Sequence, residues 1–309
     1  MKIAFVFPGQ GSQSVGMLKG FDGLPAVDET RNEVSSVLGE DFLRLLDEGP
    51  AEKLNLTVNT QPAMVSGGTV AYRAWRALGG PAPQIVAGHS LGEYTALVAA
   101  GALTFRDCLP LVRFRAQSMQ EAVPEGKGAM AAIINLDDDK VREACAAAGG
   151  EVQAVNFNSP GQVVIAGEKA AVERAMEKCK ALGAKRALPL PVSAPFHSTL
   201  MKPAGMKLKG YLEKMTLSKP AVELINNVDV AVESDPARIK DALVRQAYSP
   251  VRWAETVRKM AADGVTHIVE CGPGKVLAGL TKRIDPGVQS FALADRASLE
   301  QALAAIRGA

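Results

Sequence analysis

Cysteine and histidine are scarce in this chain of 309 residues, and the scarcity narrows its chemistry. The four cysteines, Cys108, Cys145, Cys179 and Cys271, lie far apart and form no C-x-x-C pair. That spacing supplies neither a disulfide framework nor a zinc site, and it reads as reduced thiols of a cytoplasmic protein. An excess of one charge is missing too. Lys and Arg number 35 against 33 Asp and Glu, a net charge of +2. No whole-chain field for nucleic acid follows from that balance. Long apolar runs are also lacking. The opening stretch Met1–Pro8 is too short for a signal peptide or a membrane span and reads as a first strand. There is no low-complexity segment and no repeat at solenoid spacing. What remains is 47% hydrophobic and 22% charged. Such a chain is ordinary for a soluble globular protein and long enough for one large domain or two smaller ones.

Strand-length apolar runs alternate with amphipathic stretches, which predicts an α/β protein with a largely parallel sheet flanked by helices. Strands are expected at 3–7, 84–88, 222–226, 267–270 and 290–293. Helices are expected near 60–78, 92–100, 106–122, 236–247, 252–262 and 299–306. The stretch from 128 to 190 follows another order: strand, helix, strand, a turn at Asn158-Ser159-Pro160-Gly161, strand, helix, strand. That β-α-β-β-α-β succession is ferredoxin-like, and the Asn-Ser-Pro-Gly turn marks a hairpin. The expected organisation is a large α/β subdomain from 1–125 and 194–309, with a ferredoxin-like subdomain inserted at 126–193. The cleft between them is the natural site.

Gly88-His89-Ser90-Leu91-Gly92 carries the most chemistry. An apolar strand precedes it and a helical pattern follows, the context of a nucleophile elbow. The glycines allow a sharp turn and clear space around Ser90. The helix start aims backbone N–H groups at any oxyanion formed there. A serine hydroxyl needs a base, and histidine occurs three times. His89 adjoins Ser90, and neighbours on an elbow point apart, so it belongs beside the site. His267 lies in an apolar strand and reads as a satisfied core residue. His197, where the inserted segment returns, faces the proposed cleft and is the candidate base. No motif announces an acidic partner for it, and a backbone carbonyl can orient a base equally well.

The loop Pro8-Gly9-Gln10-Gly11-Ser12-Gln13 begins like a dinucleotide fingerprint but has Ser14 where the third glycine belongs. It is either a plain glycine-rich turn or, beside the elbow, the donor of half an oxyanion hole, with Leu91 N–H as the other half. Gly272-Pro273-Gly274-Lys275 is followed by Val276, so it is not a phosphate-binding loop but a turn into a helix. Arg113 and Arg115 share one helix. Residues two apart face different sides, so at most one reaches the cleft, where it would clamp a carboxylate.

Taken together, these blocks resemble the malonyl-CoA:acyl carrier protein transacylases of bacterial fatty acid synthesis. The resemblance rests on Phe5–Gln13, Gly88–Tyr94, Met119–Pro124, Asn156–Gln162 and Gly272–Leu277, in that order, and spans essentially the whole chain. It implies that Ser90 is the acylated nucleophile and His197 its base. It implies that Gln10 and Leu91 form the oxyanion hole and that Arg115 pairs with the malonyl carboxylate. Gln246 is implied as the residue whose backbone carbonyl orients the histidine. None of these positions departs from the pattern. The implied fold is a hydrolase-like α/β domain with a ferredoxin-like insertion. The implied partners are malonyl-CoA and acyl carrier protein, with no cofactor or metal, no nucleic acid, no membrane, and a monomeric chain. Phe196 is expected to limit space at the malonyl α-carbon. An acidic carrier calls for a basic rim, with Lys185, Arg186, Lys275, Lys282 and Arg283 as candidates. A serine thioesterase or hydrolase, a non-catalytic docking module for carrier protein, and a free-standing polyketide-synthase acyltransferase are the competing readings.

Overall fold

The computed structural model describes residues 1–192 and 194–308. Strand β1 (Ile3–Phe7) is followed by helices α1 (Pro25–Leu38), α2 (Glu40–Glu48), α3 (Ala51–Leu54) and the long α4 (Thr57–Ala77). Then come β2 (Ile85–Gly88), α5 (Gly92–Ala99) and α6 (Phe105–Glu121). A second unit contains β3 (Gly128–Ile134), α7 (Asp138–Ala148), β4 (Val152–Ser159), β5 (Gln162–Glu168), α8 (Lys169–Ala181) and β6 (Arg186–Pro189). The chain then runs through α9 (Lys202–Glu213), β7 (Glu223–Ile225), α10 (Pro236–Gln246), α11 (Trp253–Ala262), β8 (His267–Cys271), α12 (Val276–Ile284), β9 (Gln289–Leu293) and α13 (Arg296–Arg307).

The larger sheet has the order β7-β2-β1-β8-β9, and every pairing is parallel. Helices cover both faces of such a sheet, so its strands read as unbroken apolar runs rather than alternating ones. All residues of β1, β2 and β8 are buried. Strand order reverses direction about β1, and in open α/β sheets the crevice at such a reversal, outside the carboxyl ends, is where sites form. Phe7 pairs with Gly88, so the loops after β1 and β2 leave the sheet side by side.

The second sheet has the order β4-β5-β3-β6 and is antiparallel throughout. Counted within the segment that order is 2-3-1-4, the ferredoxin-like arrangement. One face buries α7 and α8 through Val141, Val172 and Cys179. The other packs Met130, Val155 and Val164 against Met119, Phe196 and Met201 of the larger unit. Two backbone bonds, Phe157 N–H to Val251 C=O at 3.0 Å and Val251 N–H to Val155 C=O at 2.8 Å, tie the units together. The boundary expected at 193/194 includes residue 193, which lies outside the described residues, as does residue 309.

The expected strands and helices match the observed ones to within a few residues. Helices α1, α2, α3 and α9 were not anticipated. Their buried faces are thin: Val27, Thr30 and Val34 in α1, Phe42 and Leu46 in α2. Helix α9 carries Gly205 and Gly210, which weaken its helical signature.

Candidate active site

The elbow is forced by its glycines. A Cβ on Gly88 would lie 1.9 Å from the Gly92 carbonyl carbon, and one on Gly92 would lie 2.0 Å from the Phe7 oxygen. No side chain fits at either place, so the strand, the turn and α5 close tightly. Ser90, at the apex, has φ 51°, a left-handed conformation that a non-glycine residue adopts only when its surroundings hold it.

Ser90 Oγ lies 2.6 Å from His197 Nε2, and His197 Nδ1 lies 2.8 Å from the backbone oxygen of Gln246. A carbonyl only accepts, so Nδ1 carries the proton and the Nε2 lone pair faces the serine hydroxyl. His197 is buried, and both that burial and the Arg115 cation lower its pKa to about 3. It is therefore a neutral imidazole at physiological pH.

Arg115, on α6, is 2% exposed. Its Nη1 donates to Gln61 Oε1 at 2.8 Å, and its Nη2 donates to Gln246 Oε1 at 2.8 Å and to Ser90 Oγ at 3.2 Å. Its guanidinium carbon stands 5.2 Å from the centre of the Tyr94 ring, and its Nε has no partner among the described residues. Burial lowers its pKa. A buried guanidinium held only by neutral oxygens retains the capacity to bind an anion. Arg113 is only partly buried and lies over Phe42, away from Ser90, so of the two arginines only Arg115 reaches the serine.

Gln10 and Leu91 sit on the two adjacent loops. Among the described residues neither backbone N–H has a protein acceptor. The Gln10 side chain accepts from Thr57 Oγ1, to which Gln61 Nε2 also donates at 3.3 Å. That chain links the first loop to the arginine. His89 turns away from Ser90: its Nε2 lies 2.8 Å from Asn158 Oδ1, and its ring tilts against Trp253. His267 is buried with Nδ1 2.7 Å from Thr266 Oγ1. Its Nε2 has no partner among the described residues, so it is a core histidine only half satisfied.

A cavity of about 120 Å³ opens over the serine. The larger unit contributes Gln10, Gln61, Arg115 and Phe196 to its wall, and the smaller contributes Met130, Asn156 and Leu190. Lys185, Arg186, Lys275, Lys282 and Arg283 are all exposed. Arg283 reaches across to Gln162 Oε1 of β5 at 3.0 Å. Among the described residues no cluster of three or more His, Cys, Asp or Glu could hold a metal ion. Among the described residues no helix is long and apolar enough to cross a membrane.

Residues that the sequence did not single out complete the site. Asn227 Oδ1 accepts from Ser90 N–H at 2.7 Å, and Asn227 Nδ2 donates to Gly88 C=O at 2.6 Å. Glu93, buried in α5, accepts from Asn227 N–H at 3.1 Å and from Gln246 Nε2 at 2.8 Å. Burial raises the Glu93 pKa to about 7. A carboxylate on an otherwise apolar helix was the one local signal that could have pointed to this cluster.

A parallel sheet with a serine elbow at the carboxyl ends of its strands, joined to a ferredoxin-like lobe, defines a hydrolase-like α/β protein. Residues 4–297 match the family model described as the acyl transferase domain. The malonyl CoA-acyl carrier protein transacylase of Escherichia coli K12 is 56% identical over 98% of this chain and 99% of its own. That of Bacillus subtilis 168 is 45% identical over 99% and 98%. The crystal structure of an acyl-carrier-protein S-malonyltransferase from Burkholderia pseudomallei 1710b superposes with a TM-score of 0.97 at 63% identity, covering 98% of this chain and all of that one. A malonyl-transacylase solved in complex with its type II PKS acyl-carrier protein gives a TM-score of 0.97 at 52% identity, over 99% of this chain and all of that one. The chain belongs to the acyl transferase family, among the malonyl CoA-acyl carrier protein transacylases, and is an acyltransferase.

Proposed function

We propose that this protein moves the malonyl group of malonyl-CoA to the phosphopantetheine thiol of an acyl carrier protein, by way of an ester on Ser90. The product serves fatty acid biosynthesis. The observation that carries the reading is Arg115. It is a buried cation in ion-pair contact with no carboxylate among the described residues, 3.2 Å from the same Ser90 oxygen that meets His197. In the first half-reaction His197 Nε2 takes the hydroxyl proton as Ser90 Oγ attacks the thioester carbonyl. The Gln10 and Leu91 N–H groups receive the oxyanion. The C–S bond then breaks, and coenzyme A leaves as a thiol with the proton from His197. In the second, His197 takes the proton of the carrier thiol, the thiolate attacks the ester, and Ser90 recovers its hydrogen. Ping-pong kinetics follow.

Arg115 accounts for acid selectivity. A malonyl carboxylate pairs with the guanidinium, whereas an acetyl group leaves it unpaired. Leaving a buried charge unpaired costs about 3–5 kcal/mol, a discrimination of roughly a hundredfold or more. Phosphopantetheine arrives on the carrier, so the chain needs no cofactor of its own. One chain supplies both walls of the cleft, so a cytoplasmic monomer suffices, and neither nucleic acid nor a membrane enters the reaction.

The test is intact mass after brief incubation with malonyl-CoA, with acetyl-CoA in parallel, followed by phosphopantetheinylated carrier protein. The expected result is one malonyl adduct that is absent from Ser90→Ala and passes to the carrier. Arg115→Ala should accept malonyl no better than acetyl. An adduct lost to water equally fast with and without carrier would identify a hydrolase instead. No adduct at all would leave the docking-module reading.

A further inference from the structure

Strand β7 pairs with β2 only as far as Ile225 beside Ala87. Two residues further on, the side chain of Asn227 takes over. Its oxygen accepts from Ser90 N–H and its amide nitrogen donates to Gly88 C=O, at 2.7 and 2.6 Å. A primary amide offers the same donor and acceptor as a peptide group. The side chain therefore adds a rung to the ladder where β2 bends into the elbow and no strand can follow.

The other backbone group of Ser90 is held in the same way. Gln246 Nε2 donates to Ser90 C=O at 2.9 Å. Both amide residues then converge on one atom, Glu93 Oε2, which accepts from Asn227 N–H and from Gln246 Nε2. Asn227 and Gln246 are 0% exposed and Glu93 is 1% exposed, so water does not compete for these bonds. The backbone oxygen of Gln246 meanwhile orients His197. One buried cluster thus sets both the left-handed apex that carries the nucleophile and the place of its base.

We infer that Asn227, seated by Glu93, is a positioning residue that holds Ser90 in its attacking conformation. The inference rests on the proposed acylation of Ser90. Asn227 touches no reacting atom and acts through the serine backbone. Losing it lets the apex relax from φ 51° and moves Oγ relative to both His197 and the oxyanion donors.

The experiment measures single-turnover malonylation of the full chain by mass spectrometry, alongside thermal unfolding, for wild type, Asn227→Ala and Asn227→Asp. Asn227→Ala removes both bonds. Misplacement of a reacting group by about 1 Å costs on the order of a hundredfold, so the acylation rate at saturating malonyl-CoA should fall by about 10- to 100-fold, with KM changed by less than about threefold. Asn227→Asp keeps the acceptor for Ser90 N–H, loses the donor to Gly88 and sets a second carboxylate beside Glu93, so it too should acylate more slowly. Either variant, folded and acylating at the wild-type rate, would overturn the inference, even if its melting temperature had dropped. So would a raised KM with an unchanged rate, because that assigns the residue to substrate binding. A wild-type chain that forms no adduct removes the acylation reading and this inference with it. A wild type that does, with unaffected variants, removes the inference alone.

Discussion

His197 Nδ1 meets a backbone carbonyl where many serine enzymes place a carboxylate, and the difference has an electrostatic consequence. A carboxylate stabilises the imidazolium that forms as the serine is deprotonated. The Gln246 carbonyl fixes the tautomer but contributes no full charge. Burial and the neighbouring Arg115 cation both oppose protonation and lower the His197 pKa to about 3. When a malonyl carboxylate neutralises Arg115, one of those opposing influences is withdrawn. In the proposed reaction the malonyl substrate would thus make its own base stronger and add to the selectivity proposed for the arginine. The sign of the shift gives a direct expectation. A histidine with a lowered pKa stays neutral as pH falls through the ordinary histidine range and gains its proton only far below it. In a histidine-labelled NMR titration of the free protein, the His197 ring signals should not move between about pH 8 and about pH 5. An inflection near 6.5, the usual histidine value, would refute the account of the burial and of the arginine.

At the scale of elements, the site depends on two loops leaving neighbouring strands. Strands β1 and β2 were legible because both faces of a parallel sheet are covered, so their apolar runs are unbroken. The elbow was legible because glycine is the only residue its geometry admits at 88 and 92. Helices α1, α2, α3 and α9 were not legible, because each buries at most a few apolar residues against a core that lies elsewhere in the chain. Helix α13 shows how a peripheral element is secured. Asp295 Oδ1 accepts from Ser298 N–H at 2.8 Å, and Ser298 Oγ accepts from Asp295 N–H at 3.0 Å. That reciprocal cap directs Leu299, Leu303 and Ile306 into the core. Asp295→Ala should cost about 1 kcal/mol, within a range of about 0.5–2. The loss should appear as a lower urea midpoint with an unchanged acylation rate. A stability loss accompanied by slower acylation would mean that the helix reaches the site.

The whole molecule presents a cleft between two lobes, and the carrier must bring its thiol into it. A net charge of only +2 gives no global attraction, so the capture proposed for an acidic carrier would fall to local basic groups. Arg283 spans the lobes through Gln162, with exposed Lys282 beside it. Charge reversal of the pair, Lys282→Glu with Arg283→Glu, should raise KM for the carrier several-fold and weaken its salt dependence, because rim charges act mainly on encounter. The acylation rate with malonyl-CoA should not change. An unaltered carrier KM would remove these residues from the docking face.

The family resemblance put Gln10, Leu91, Arg115 and Gln246 forward, and the sequence by itself determined the class of the fold, the ferredoxin-like lobe and the elbow that carries Ser90. The fold class, the lobe and the elbow depend on local rules: continuous burial in parallel strands, a hairpin turn, and glycine where backbone meets backbone. Only the tertiary structure brought Asn227, Gln61, Glu93 and Asn158 to the site, and it places Arg115, the arginine that the resemblance had put forward, 3.2 Å from the serine hydroxyl. Asn227 lies 137 residues from the serine it holds. It arrives because β7 pairs with β2, and strand order in a sheet is a property of the assembled core that no local pattern encodes. An asparagine that copies a peptide group looks, in sequence, like any other turn residue.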